Sequence, residues 1–285
     1  MSVQFQNYPT QHHSADDASP IYNDFINHCR SWRQMIVRGR KITSAHECTH
    51  GINSELRLGR FGAQALGEMA LDIVFKRVGD SLTLIQPNPR AASFQTLAER
   101  MNGFYVGEDR GVLLPEPRIR KSQVAKYVPS ALRGYRYQTY ITGQTAWDDT
   151  PLYVFDEWVA YNNGTLTAND LNARGDSSGK GEDQPMGPLE FLGYAVALCM
   201  AVDRLDSPYY QNNPNFTEFM KFEIRRSVGI IQQAIKCFPW QGAQQTYNSL
   251  CAGPLNEFAL SKFGLDLKNP EPSDDGLDFQ LLSSD

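Results

Sequence analysis

TSAHECTHGINSELR, Thr43 to Arg57, carries two of the chain's five histidines, four residues apart, with a glutamate directly after the first. A helix from Ser44 to Leu56 would place Ala45, Cys48, Ile52 and Leu56 on one apolar stripe, at spacings of 3, 4 and 4. His46 and His50 then lie one turn apart on an adjacent face. At that spacing two imidazole nitrogens can reach one ion at about 2.0–2.1 Å. Glu47 lies beside the first histidine, where a carboxylate can take a proton from a metal-activated water and return it to a leaving group. Two plainer readings use the same letters. The match can arise by chance. Alternatively, Ser44-x-x-Glu47 has the form of a capping box, with Ser44 as N-cap and Glu47 a structural residue. The capping box accounts for Glu47 but leaves the histidine pair unexplained.

The run His46-Glu47-Cys48-Thr49-His50 is an H-E-x-x-H motif. In it the chain resembles the zincin metallopeptidases. The resemblance implies a zincin-like active-site helix and one Zn2+ per chain. It also implies His46 and His50 as ligands, and Glu47 as general base acting on a peptide or protein substrate. No third histidine follows at the metzincin spacing, so the resemblance is to the gluzincin, thermolysin-like branch, whose third ligand is a downstream glutamate.

Two glutamates compete for that place. Glu68 follows at close to that branch's spacing, with Asp72 four residues on, where the branch often has a supporting acid. Gln64, Glu68, Asp72 and Lys76 also form one i, i+4 polar row, the pattern of a solvated helix face. Glu157 stands in PLYVFDEWVAYNNG among Tyr153, Phe155, Trp158 and Tyr161. A buried acid among four aromatics needs a partner, which a metal supplies. Acid-aromatic-x-Ala-aromatic sequences also recur on the third-ligand helix of several zincin families. The expected metal set is therefore His46, His50 and Glu157, with Glu68 the alternative. Asp156 either orients a ligand histidine or sits on the surface. Tyr153 and Tyr161, one turn either side of Glu157, either donate to an oxyanion or pack the core. Cys48 reads as a core residue.

The rest of the chain sets the bounds. With 285 residues, 41% hydrophobic and 11% aromatic, it can build one large core or two small ones. A net charge of −5 argues against non-specific nucleic-acid binding. No apolar run is long enough to span a bilayer; the longest, Phe191 to Val202, reads as a buried helix. The opening residues show no Sec-type signal. The five cysteines are scattered without a CxxC pair, which suggests reduced thiols. The expected location is cytoplasmic, or outside the cell by export without an N-terminal Sec signal. Arg118, Arg120, Lys121, Lys126, Arg133 and Arg136 concentrate positive charge that either grips an acidic substrate or forms a solvated face. No Walker loop, Rossmann fingerprint or G-x-S-x-G is present.

The fold class expected is α+β, predominantly helical, with a small β-sheet in the N-terminal half. Residues 1–19 read as a flexible N-terminus, 20–165 as the zincin-like catalytic region, and 166–187 as a flexible loop, linker or lid. Residues 188–265 read as a helical region packed on the same core, and 266–285 as an acidic tail. Within this frame, helices are expected over Tyr22–Ile36, Phe61–Val78, Ser93–Met101, Pro151–Asn162, 188–205, 216–238 and 241–263. Ser81–Ile85 reads as a strand, and Gly103–Val106 with Gly111–Leu114 as a hairpin. Thr150 is the expected N-cap of the Glu157 helix and Asn163-Gly164 its end. YRYQTYI reads as strand or helix. The function expected is a zinc-dependent hydrolase, a metallopeptidase. The alternative is a non-catalytic helical interaction protein with a structural metal site or a chance motif. The oligomeric state is not legible.

Overall fold

The computed structural model describes residues 6–7, 19–29, 40–57, 75–78, 81–84, 101–108, 110–176 and 184–270. The architecture is mostly helical with small antiparallel sheets, as the α+β expectation has it. Helix α1 (Pro20–His28) opens on a side-chain cap, Ser19 Oγ accepting from the Tyr22 N–H at 3.0 Å. Helix α2 (Lys41–Arg57) carries the H-E-x-x-H motif. It begins a turn before the expected N-cap: Ser44 is buried and its N–H donates to Arg40 O. The capping box therefore does not form, and Glu47 is released from that structural role.

Strands β1 (Gln6–Asn7), β4 (Met101–Gly107) and β5 (Arg110–Pro115) form a sheet in the order β1-β5-β4, while β2 (Phe75–Val78) pairs with β3 (Ser81–Leu84). The β4–β5 hairpin is the one the alternating pattern predicts. Its pleat separates two cores: Phe104, Val106, Val112 and Leu114 face the large helical core, and Met101, Tyr105 and Leu113 face α1 and α2. Gly103 lets β4 lie against α2, since a Cβ there would come within 2.4 Å of Leu56 Cβ. Four residues of the expected Phe61–Val78 helix are strand β2; residues 61–74 lie outside the described residues. Met101 begins β4 and not the end of a helix, and residues 93–100 of that expectation also lie outside, as do residues 30–36 and the tail from 271.

Helix α3 (Tyr153–Ala173) is the central element and packs on both α2 and β4. Its ends differ from expectation. Thr150 is not the cap, and the helix runs through Asn163-Gly164 for nearly three more turns. The residues read as the start of a loop or lid are buried helix. Buried polar residues along it face helix α6 (Pro214–Cys237). Asn162 Nδ2 donates to Glu223 Oε1 at 2.7 Å and Asn169 Nδ2 to Ile230 O at 3.1 Å. Thr167 Oγ1 donates back to Asn163 O. Gly164 faces α2: a Cβ there would stand in van der Waals contact, 3.4 Å from His46 Cβ. Residues 177–183 lie outside the described residues.

Helix α4 (Met186–Leu205) is apolar all round and crosses the large core. Among the described residues it is the one helix long and apolar enough to cross a membrane, and 83% of its apolar window is buried inside the fold. Short α5 (Pro208–Asn212) precedes α6. The expected 241–263 helix is two, α7 (Gln241–Cys251) and α8 (Pro254–Phe263), because Gly253-Pro254 interrupts it. YRYQTYI folds as a π-helical turn, Tyr137–Thr142, clamped by the buried Lys121. The Lys121 ammonium donates to the carbonyls of Tyr140, Ile141 and Gly143 at 2.7–2.9 Å.

Candidate metal centre

α2 and α3 meet side by side, and their contact faces bring His46, His50 and Glu157 together. His46 Nε2 and His50 Nε2 are 3.1 Å apart, and Glu157 Oε2 lies 3.8 Å from the first and 3.6 Å from the second. The centre of that triangle is about 2.0 Å from each atom, the bond length zinc takes with imidazole nitrogen and carboxylate oxygen. Glu157 Oε2 is buried and accepts no hydrogen bond, although its carboxyl partner oxygen is satisfied. An orphaned carboxylate oxygen aimed at two imidazole nitrogens fits a divalent cation and leaves a costly desolvated charge otherwise. The donor set fits the metal that the motif implies.

Neighbouring side chains hold the three donors. His50 Nδ1 donates to Asp156 Oδ2 at 2.6 Å, which turns Nε2 to the centre. Asn53, one turn beyond His50, donates from Nδ2 to Asp156 Oδ1 at 2.7 Å and accepts the Tyr105 N–H at Oδ1 at 2.7 Å. The amide thus ties α2, α3 and β4 at one point. The Tyr153 hydroxyl donates to Glu157 Oε1 at 2.6 Å. The Tyr161 ring meets His46 edge-on, centroids 4.6 Å apart, and its hydroxyl accepts from Arg136 Nε at 3.3 Å. Of the two expected roles of Asp156, the structure supplies the orienting one. Glu157, of the two competing glutamates, joins the histidines; Glu68 lies outside the described residues.

Below the motif, Asn163 Nδ2 donates to Thr49 Oγ1 at 3.1 Å and to Tyr105 O at 2.9 Å. Arg226 donates to Asn163 Oδ1 and to Glu223 Oε1, an ion pair almost wholly removed from solvent. From the other side, Cys48 is bonded to Cys29 at the end of α1, with Cα atoms 5.2 Å apart. The expectation of reduced thiols throughout is corrected here. The pair is invisible as a sequence motif because the packing of α1 on α2, not chain proximity, brings the sulfurs together. Cys199, Cys237 and Cys251 are free.

The charges are strongly coupled. Burial, reinforced by the His50 charge, holds His46 well below the usual imidazole range. Burial also opposes charge on His50, but Asp156 outweighs it and pushes His50 up to about 9. Burial raises Glu157 to about 7 against the pull of His50 and the Tyr153 hydrogen bond. Without a cation, His50 and, near neutral pH, Glu157 carry protons that ligation must displace.

The centre opens into a cleft of about 430 Å³. Glu47 lines it beside the histidines, with Tyr140, Trp147 and Tyr153 on one wall. Trp147 stacks on Tyr153 at 5.0 Å. The basic run, read as either a substrate grip or a solvated face, does not line it. Lys121 is buried in its carbonyl clamp, Arg136 pairs with Glu190 at 2.6 Å, and Arg133 Nε bonds Val128 O. Sequence reasoning missed Asn53 and Asn163. Asn53 had a signal: it lies three residues beyond His50 on the same helix face. A scan of protein-family models, a search of curated proteins and a search of solved structures each returned no match.

Proposed function

We propose that the chain is a single-metal hydrolase that cleaves peptide bonds, with zinc held by His46, His50 and Glu157. The observation that carries this reading is the convergence of those three donors at the floor of a cleft that Glu47 also lines. Held by these residues, zinc would supply Lewis acidity and lower the pKa of water. Glu47 is not consumed by a capping box. Its carboxylate takes the proton from the attacking water and delivers it to the departing amine nitrogen as the C–N bond breaks. Asp156 fixes the His50 ring through Nδ1, and Asn53 fixes Asp156. Tyr153 holds Glu157 through its hydroxyl, a positioning role that replaces the oxyanion role open to it in sequence.

The open cleft and the placement of Glu47 favour this reading over a structural metal site, which closes its fourth position with protein. The disulfide inside the motif favours the exported arm of the localisation expectation, since such bonds persist in oxidising compartments. The test is Glu47→Gln assayed beside wild type on a mixed peptide library. Retained zinc with turnover lowered at least a hundredfold supports the mechanism. Equal turnover in the two proteins refutes it.

A further inference from the structure

The cleft face of α2 continues past the metal donors. His46, His50, Asn53, Ser54 and Arg57 all line the cleft, at helical spacings that keep them on one stripe. Asn53 is committed to Asp156 and Tyr105, whereas Ser54 and Arg57 are half-buried and engage no carboxylate among the described residues. Arg57 is the one cation besides the histidines among the described lining residues; the other charges there, Glu47, Asp156 and Glu157, are all acids. Away from the metal donors, Arg57 is therefore the lining side chain among the described residues whose charge can accept an acidic ligand group. The guanidinium fork and the Ser54 hydroxyl, one turn apart on α2, are both donors that a carboxylate accepts from.

We infer that Arg57 and Ser54 form a carboxylate-recognition subsite that selects acidic peptides and fixes their register over the metal centre. Seven residues separate His50 from Arg57, about 10 Å along the helix axis. An extended peptide advances about 3.3 Å per residue, so the recognised carboxylate lies about three residues from the bond cleaved. The carboxylate is an Asp or Glu side chain or a free C-terminus. This inference rests on the peptidase reading of the same cleft.

The test measures peptide binding, by anisotropy, to full-length zinc-loaded Glu47→Gln protein, so that affinity is read without turnover. The probes are one apolar peptide carrying a single Glu at successive positions, the matching Gln peptides, and the parent peptide with free and amidated C-termini. One acid position, or the free terminus, binds about tenfold to a hundredfold tighter than its neutral counterpart. That preference disappears when Arg57→Gln is added and survives in part with Arg57→Lys. A preference for internal Glu identifies a side-chain acid; a preference for the free terminus identifies a C-terminal one. Zinc content and circular dichroism establish that the variants are folded. In the Glu47→Gln protein with Arg57 intact, the preference also weakens with added salt. Equal affinity for acid and neutral peptides, an acid preference that persists in Arg57→Gln, or no peptide binding at all overturns the inference. An Arg57-dependent preference together with no cleavage of the same peptides by wild type leaves the subsite standing and refutes the peptidase reading.

Discussion

Reduction of the Cys29–Cys48 disulfide is expected to destabilise the helix that carries the metal donors. The bond closes a loop spanning a sequence separation of 19 residues. The loss of loop-closure entropy from the unfolded chain is worth about 3 kcal/mol for a loop of that size. For a chain of this length that corresponds to a fall in Tm of roughly 6–12 °C. Both sulfurs are buried, so reductant reaches them only through local opening, and the comparison uses protein unfolded and refolded in reductant. The assay is thermal unfolding by circular dichroism with and without reductant, each in chelator and in excess zinc. Alkylation in denaturant provides the control: three thiols react before reduction and five after. Unchanged Tm with five thiols titrating only after reduction refutes the argument that this crosslink stabilises α2 against α1. Five thiols reacting before reduction, in protein made under oxidising conditions, refutes the crosslink itself.

Three further outcomes follow from the site and its support. Asp156→Asn or Asn53→Ala weakens zinc binding about tenfold to a hundredfold, because the imidazole loses its orienting carboxylate; competition with a chromogenic chelator measures it, and unchanged affinity contradicts the role. Arg226→Met costs about 3–5 kcal/mol in denaturant unfolding by stranding buried Glu223, whereas Arg226→Met with Glu223→Leu restores most of the loss; a double variant no better than the single one removes the pairing argument. Zinc affinity falls as pH drops below about 9, the value at which metal-free His50 gains its proton, and falls more steeply below about 7 where Glu157 also gains one. The sign is set by ligation requiring neutral imidazole and ionised carboxylate, so an affinity that is flat from pH 9 to 6 contradicts the donor set.

Much of the centre was legible because its signals are local. Two histidines four apart on a helix declare a shared face, and Glu157 among aromatics declares a buried charge in need of a partner. The β4–β5 hairpin was equally legible from alternation. What sequence concealed depends on tertiary packing. Asn163-Gly164 has the composition of a helix end, yet it sits mid-helix because Asn163 bonds across to Thr49 and Tyr105. The start of the polar run after it imitates a loop, yet Asn169 there is buried in helix and bonds Ile230 O on α6. Ser44 looks like a cap because an N-cap and a buried polar residue within the first turns of a helix share the same letters. The basic run between Arg118 and Arg136 read as either a substrate grip or a solvated face, but its buried members serve backbone carbonyls and Glu190. Arg57, outside that run, is the Lys or Arg that lines the cleft among the described residues.

The most direct test of the metal centre is zinc content by native mass spectrometry on protein purified without added metal. Wild type, His46→Ala, Glu157→Ala and Glu47→Gln are compared. The account predicts about one zinc per chain in wild type and in Glu47→Gln, and none in the His46 and Glu157 variants. Wild type that stays metal-free after incubation with zinc, or zinc retained in full by both ligand variants, contradicts it.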